Sequence, residues 1–371
     1  GRQVSHRPRT AAVVADDPAG LAAVIGLPAF RIGAMDQPAP EAGASPVLET
    51  LTSGSTGAPR RILRTQASWI ASFAVNAGMG IGPGARVAVL GRLVHSLSLY
   101  GAVEGLHFGA EVHLLDQLRP DRQRQALAAR RVTHLYATPA QLRLLTEGQG
   151  TCPDLALILV GGSKLDQALR EAVTALAPNA ALREFYGAAE TSFITIADAE
   201  TPTDSVGRAY DGVQIALDEV GVVWVKSPYL FIGYAGSDPD PPATRWREGW
   251  LSVGEVGRLD GGFLTLRGRA GRMVTVADQN VFPEEIEALI LAHRGVRRAA
   301  VLGVPDARRG TVLLALIQGD RAAEPAILAD LRARLGPLKA PKAVLWQADW
   351  PVLPSGKTDL AALQRGLRWP V

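Results

Sequence analysis

The sequence reads as an α/β protein: a large N-terminal domain with a mainly parallel sheet plus a small β-barrel-like section, followed by a small mobile α+β C-terminal domain. Three observations point there. Between residues 86 and 185 short apolar runs alternate with helical stretches. From about 206 to 266 brief β runs are separated by turn signals. Beyond 272 the chain holds enough helix and strand pattern for one further small domain. The expected division is 1–267, a hinge at 268–272, and 273–371.

In order along the chain, Val47-Leu-Glu-Thr-Leu51 predicts a strand, 62–65 resumes β composition, and 66–75 predicts a helix. Strands are expected at 86–90, 111–115, 134–137, 157–160 and 182–185, with helices at 101–107, 122–129, 140–146 and 165–177. The Arg-rich stretch 119–131 reads as a solvated helix face with Leu127 and Ala128 inward, not as a binding patch. Turn signals then crowd the chain at Gly212, Glu219-Val-Gly221, 237–242, Glu248-Gly249 and Asp260-Gly-Gly262. After Arg267-Gly-Arg-Ala-Gly-Arg272, a helix opens with Pro-Glu-Glu at 283–291; strands at 299–303 and 312–317 and a helix at 326–335 follow.

Of 371 residues, 47% are hydrophobic and 20% charged, and the net charge of +3 divides between 39 basic and 36 acidic side chains. That balance, without a basic run interleaved with aromatics, argues against nucleic acid as a partner. The single cysteine, Cys152, rules out an internal disulfide framework and a multi-cysteine metal site, and fits a cytoplasmic location. The six histidines contain no His-x3-His pair. No apolar stretch reaches the ~18 residues of a membrane span, and no signal peptide is expected.

The most informative stretch is Leu51-Thr-Ser-Gly-Ser-Thr-Gly-Ala-Pro-Arg60. Gly54 and Gly57 tolerate positive φ, so successive N–H groups can converge on one anion. Thr52, Ser53, Ser55 and Thr56 offer hydroxyls, Pro59 stiffens the exit, and Arg60 supplies permanent charge. The run reads as a cradle for a triphosphate, the alternative being a solvated linker. It is not a Walker loop, because no Gly-Lys-Ser/Thr follows; Gly356-Lys357-Thr358 would need glycine at 351, where the chain has Pro351.

Further motifs follow in one order: Arg92-Leu-Val-His-Ser-Leu-Ser-Leu-Tyr-Gly-Ala102, Leu159-Val-Gly-Gly-Ser-Lys164, Tyr186-Gly-Ala-Ala-Glu190, Trp250-Leu-Ser-Val-Gly-Glu255, Gly268-Arg269 with Val281-Phe-Pro-Glu-Glu-Ile-Glu287, and Pro354-Ser-Gly-Lys357. Across about residues 47–360 they resemble the adenylate-forming superfamily of acyl-CoA synthetases, peptide-synthetase adenylation domains and luciferases. The resemblance implies that Thr52, Ser53, Gly54, Ser55, Thr56, Gly57 and Arg60 hold phosphates. Gly162, Ser163, Tyr186, Gly187 and Ala188 would meet the nucleotide, and Glu255 and Arg269 its ribose. Lys357 is the expected catalytic cation, bridging carboxylate and α-phosphate oxygens, and Glu190 the expected Mg²⁺ ligand. His95, Ser96, Gly161, Gly162, Tyr186 and Gly187 would line the acid pocket.

The function so implied is ATP-dependent activation of a carboxylic acid as its acyl-adenylate, then transfer to the thiol of coenzyme A or a carrier-protein phosphopantetheine. An acyl carrier protein is thus a candidate partner. Amino-acid-activating members carry an Asp near the start of the pocket segment; Leu93-Val-His-Ser-Leu-Ser98 has no carboxylate, favouring an aryl or fatty acid. Departures from the pattern stand at Arg60 (family Lys), Ala189 (Thr), Glu255 (Asp), Gly271 (Asp or Lys), Thr275 (Lys) and Asp278 (Gly). Gly271 predicts a freer hinge, and Thr191 or Ser192 could replace the hydroxyl lost at Ala189. The phosphate loop starts only about 50 residues into the chain, earlier than is general in the family, so a shortened N-terminus is expected. Two alternatives remain open: an adenylating enzyme dedicated to a carrier protein, and a nucleotide-binding module without turnover.

Overall fold

The computed structural model describes residues 11–52, 59–162, 164–237, 239–276, 279–307, 309–353 and 356–368. They divide into two compact units. The first takes in the described residues up to Gln214 and again Val225–Asp240; the second takes in Ile215–Trp224 and the chain from Pro241 onward. Both sides of 268–272 therefore lie in the second unit.

The first unit opens with β1 (Ala12–Val14), α1 (Pro18–Val24), β2 (Ala29–Ile32), β3 (Val47–Leu51) and β4 (Arg61–Thr65). β1, β2 and β3 pair in parallel, and β4 returns antiparallel to β3, from Val47↔Thr65 to Leu51↔Arg61. Arg31 anchors this sheet: fully buried, it is ion-paired to Glu49 of β3 at 2.5 Å and donates to the carbonyls of Pro38, Ala34 and Gln37. α2 (Gln66–Asn76) begins where Thr65 accepts a hydrogen bond from Ser68 N–H and so satisfies an end donor.

The strand and helix alternation follows as expected: β5 (Arg86–Val89), α3 (Ser96–His107), β6 (Glu111–Leu114), α4 (Pro120–Ala129), β7 (His134–Ala137), α5 (Pro139–Thr146), β8 (Leu157–Val160), α6 (Gln167–Leu176) and β9 (Ala181–Ala188). The sheet runs β6-β5-β7-β8-β9 in parallel. It continues antiparallel through β10 (Ser192–Ile196) and β11 (Arg208–Ala209). Local chemistry sets the helix starts: proline in the first turn of α4 and α5, a Thr138–Gln141 capping box, and an Asp166 cap on α6. Leu127, Leu135, Leu142, Ile158 and Val160 fill the core beneath them.

β12 (Gln214–Leu217) and β13 (Val223–Lys226) follow, and β14 (Gly233–Ala235) then pairs antiparallel with β4. In the second unit the short β runs form hairpins: β15 (Arg245–Arg247) with β16 (Trp250–Ser252), and β17 (Glu255–Asp260) with β18 (Phe263–Arg269) around Gly261 and Gly262, both at positive φ. β19 (Val274–Val276) and β20 (Gln279–Val281) make a third.

The remainder is α7 (Pro283–Leu291), β21 (Val296–Asp306), β22 (Gly310–Gly319), α8 (Glu324–Lys339), β23 (Ala343–Trp346) and α9 (Leu360–Gly366). Three strands pair as β21-β22-β23 over a core of Ile286, Ile290, Val301, Leu313, Ile327 and Leu331. α8 breaks at Gly336 (φ +74°) and Pro337, just beyond the end expected at 335. Among the described residues no helix is long and apolar enough to cross a membrane.

Candidate active site

β3 and β4 flank the expected phosphate loop, and Thr52 closes its neck twice. Thr52 N–H donates to Arg60 O at 2.9 Å, and Thr52 Oγ1 accepts from Arg60 N–H at 3.0 Å. Ser53, Gly54, Ser55, Thr56 and Gly57 lie outside the described residues, as do Ser163, Asp278, Pro354 and Ser355. The Arg60 guanidinium donates to Pro239 O at 2.5 Å and stands 5.7 Å from the Tyr234 ring centroid, within cation–π range.

His95 is the N-cap of α3 and lies beside the end of β3. Leu51 N–H donates to Val94 O at 2.9 Å, Leu51 and His95 form a parallel bridge, and His95 Nδ1 is 3.4 Å from Leu51 O. Ser96 Oγ is 2.7 Å from Thr50 Oγ1. Asp16 fixes the approach from behind: its carboxylate accepts Leu93 N–H at 3.0 Å and Val94 N–H at 3.1 Å and pairs with Arg92 at 3.3 Å. Nothing in the sequence marks Asp16 for this, because two of these three partners are backbone groups, 77 and 78 residues away.

Gly161 and Gly162 follow β8, and the parallel register Val160↔Glu184 brings them alongside Phe185 and Tyr186 of β9. A β-carbon on Gly161 would lie 2.1 Å from Phe185 Cζ, and Gly162 adopts φ +108°. Gly187 allows the β9–β10 hairpin to close, since a β-carbon there would lie 1.9 Å from Ser192 O. Thr191 is committed inside this turn, accepting from Ala188 N–H at 2.9 Å and donating to Ser192 O at 3.1 Å. Its hydroxyl is thus buried, and both its donor and an acceptor position are taken up within the turn.

Glu190 is half-buried at the end of that turn. Its Oε1 accepts from Tyr234 Oη at 2.7 Å and its carbonyl accepts Phe231 N–H at 2.8 Å; among the described residues Oε2 accepts no hydrogen bond. Arg64, which the sequence reading passed over, lies fully buried behind the same turn. Its guanidinium donates to Ala189 O at 2.5 Å, Tyr229 O at 2.9 Å and Ser68 Oγ at 3.0 Å. Burial lowers its pKa to about 10, with Glu190 opposing, so it stays charged at neutral pH.

The second unit gathers the remaining candidates. Glu255 and Arg269 face each other in the β17–β18 register and form an ion pair at 3.2 Å. Burial pushes the Glu255 carboxyl up, while Arg269 and then Lys357 pull it back; Lys357 thus lies within electrostatic reach of Glu255. Lys357 ends a turn in which Leu353 N–H donates to its carbonyl at 2.8 Å. Residues 270–272 form a short 3-10 turn braced by ion pairs, Arg267 to Glu285 at 2.8 Å and Arg272 to Glu284 at 3.3 Å and Glu287 at 2.6 Å. Gly268 adopts φ +156°, a conformation that side chains rarely take, and so favours glycine there.

No group of three or more His, Cys, Asp or Glu among the described residues could hold a metal ion. A hard cation that takes most ligands from phosphates needs only a carboxylate or two from protein. Glu190, with one oxygen held and the other open, fits that demand.

Two family models match, AMP-binding enzyme over residues 4–235 and AMP-binding enzyme C-terminal domain over 285–357. A protein named uncharacterized acyl–CoA ligase YhfT, from Bacillus subtilis (strain 168), is 32% identical over 332 residues, covering 85% of this chain and 67% of YhfT. Two solved structures share the fold. One is o-succinylbenzoate CoA synthetase (MenE) from Bacillus subtilis in complex with its acyl-adenylate intermediate, with TM-score 0.74, 24% identity and coverage of 85% of this chain and 68% of that one. The other is the amide bond synthetase McbA from Marinactinospora thermotolerans, with TM-score 0.73, 24% identity and coverage of 96% and 79%. The chain thus spans about two thirds of the lengths of YhfT and MenE. Motif order, fold and family models agree, and the chain belongs to the adenylate-forming AMP-binding enzymes.

Proposed function

We propose that the chain is an ATP-dependent acid ligase that forms an acyl-adenylate with release of pyrophosphate and passes the acyl group to the thiol of coenzyme A. The observation that carries this reading is the gathering, within the first unit, of the loop neck Thr52–Arg60, His95 and Glu190, three motifs widely separated in sequence. In the first step a carboxylate oxygen attacks the α-phosphorus; the new O–P bond forms as the bond to the bridging oxygen breaks, and pyrophosphate leaves with that electron pair. In the second a thiolate sulfur attacks the acyl carbon, the thioester forms, and AMP departs.

Both reactants of the first step are anions, so the protein must supply positive charge and alignment. Lys357 is assigned the bridging charge between carboxylate and α-phosphate, and Arg60 with Thr52, Ser53, Gly54, Ser55, Thr56 and Gly57 the outer phosphates. Mg²⁺, held by Glu190, neutralises phosphate charge when bound. Tyr186 presents its ring to adenine beside Gly162, Ser163, Gly187 and Ala188, while Glu255, oriented by Arg269, accepts the ribose hydroxyls. His95, Ser96, Gly161 and Gly187 surround the carboxylate end of the acid, which is aryl or fatty because the 93–98 segment offers no carboxylate for an ammonium. MenE, whose structure holds an acyl-adenylate of an aromatic acid, supports that class. Residues 268–272 serve as the hinge between the two half-reactions. A cytoplasmic location, motivated by the single cysteine, belongs to the same proposal. The departures at Thr275 and Asp278 favour a second acceptor, the phosphopantetheine of an acyl carrier protein.

Acid-dependent ATP–pyrophosphate exchange over a panel of aryl and fatty acids tests this. Lys357→Ala is expected to lower exchange by ~100-fold or more. Undiminished exchange in that variant removes the role of Lys357, and ATP binding without exchange on any acid leaves a nucleotide-binding module. Product formation with coenzyme A against a pantetheinylated carrier protein separates the two acceptors.

A further inference from the structure

Arg64 is an expensive residue. Burying a guanidinium costs several kcal/mol unless a carboxylate offsets it; Glu190 opposes that cost only through space, while the groups Arg64 touches directly are neutral, one hydroxyl, two carbonyls and the Trp69 ring at 5.3 Å, and its Nε has no hydrogen-bond partner among the described residues. Arg31 in the same sheet shows the contrasting solution, a direct carboxylate partner. An apolar side chain would fill the Arg64 position without that cost, so what the guanidinium adds is geometric. It joins Ser68 of α2, Tyr229 on the segment leading to β14, and Ala189, the residue before Glu190.

Tyr234 completes the arrangement from the neighbouring strand. β14 pairs with β4 so that Tyr234 opposes Ile62, two residues from Arg64. Its hydroxyl donates to Glu190 Oε1 while its ring lies beneath Arg60, at the exit of the loop neck. Glu190 is therefore held at its side chain by β14, at its carbonyl by Phe231, and at the preceding carbonyl by β4. We infer that Arg64 and Tyr234 are positioning residues that lock the Glu190 carboxylate to β4 and to Arg60 at the loop neck, so that the cation ligand and Arg60 are held in one arrangement. The inference rests on the proposed role of Glu190 as metal ligand.

Mn²⁺ serves as the probe, with the free ion read by electron paramagnetic resonance in titrations of the full chain with and without ATP. Glu190→Gln is expected to weaken ATP-dependent Mn²⁺ retention, and Tyr234→Phe, which keeps the ring under Arg60 and loses only the hydroxyl, to weaken it by roughly 10-fold. Arg64→Lys keeps the charge but loses the three-way fork, and should move the Mn²⁺ affinity in the same direction, with metal-free ATP affinity unchanged in both variants. Unchanged Mn²⁺ affinity in Tyr234→Phe and Arg64→Lys, with Glu190→Gln weakened, overturns the inference and leaves the function standing, even if Arg64→Lys lowers thermal stability. Should Arg64→Lys fail to fold, Tyr234→Phe decides alone. Unchanged affinity in Glu190→Gln, or no ATP-dependent retention by the unaltered chain, removes the metal role of Glu190 and the inference with it.

Discussion

Glu104 illustrates what one side chain can report. It is fully buried on α3, accepting from Asn76 Nδ2 at 2.7 Å and from the Tyr136 hydroxyl. Asn76 also donates to Tyr100 Oη at 3.0 Å and accepts from Tyr210 Oη at 2.7 Å. Burial raises the Glu104 pKa from 4.5 to about 7, against the pull of these donors. The folded state thus binds this proton more tightly than the unfolded chain, so the stability Glu104 contributes is present below its unfolded pKa and lost as pH rises through 7. The facing phenols of Tyr100, Tyr136 and Tyr210 have pKa values pushed above 10 and stay silent in that window. Urea unfolding from pH 4.5 to 8 should therefore show the unaltered chain losing about 3 kcal/mol relative to Glu104→Gln. A constant difference across that range would place the ionised carboxylate comfortably in the network and contradict the raised pKa. Nothing in Ser96–His107 read as sequence distinguishes this glutamate from one facing solvent, because its partners come from α2 and β7.

The elements that were legible in advance are those whose boundaries are set by local chemistry. β7, β8 and α7 span the residues expected, since Leu135-Tyr-Ala137 and Leu157-Ile-Leu-Val160 are short apolar runs too brief for a helix and Pro283-Glu-Glu favours a helix start. β1 and β2 were not legible: three and four residues long, β1 is held by pairing with β2, and β2 is tied to β3 by pairing and by the buried Arg31–Glu49 ion pair. β4 shows the limit of alternation. Ile62 and Arg64 share its buried face, so a period-two reading finds the strand but assigns a charged residue to the interior, which no propensity suggests. The glycines of the site allow a test at this level. Gly187→Ala drives a β-carbon into the Ser192 backbone, whereas Gly161→Ala meets only the half-exposed Phe185 ring, which can turn aside. Gly187→Ala should cost roughly 1–3 kcal/mol in urea unfolding and Gly161→Ala distinctly less; the opposite ranking would mean that Phe185 is the more rigid wall.

For the molecule as a whole, a ligand that binds only the folded chain must stabilise it. ATP with Mg²⁺ at 100 times its dissociation constant should add about 2.7 kcal/mol, seen as a rise of several degrees in thermal unfolding, and chelation by EDTA should remove part of it. A rise indifferent to EDTA would separate nucleotide binding from Glu190. The order of motifs from Thr52 to Lys357 was enough to identify the family by resemblance, and with it the expected chemistry and the candidate residues, because each motif is a short run that can be matched without its neighbours in space. Only the folded chain decided how those residues are held. Asp16 behind His95, Arg64 and Tyr234 around Glu190, and Arg269 against Glu255 are pairings between segments remote in sequence or on facing strands. Such contacts arise from packing and register, and a linear pattern of residue types carries no record of which surfaces will meet.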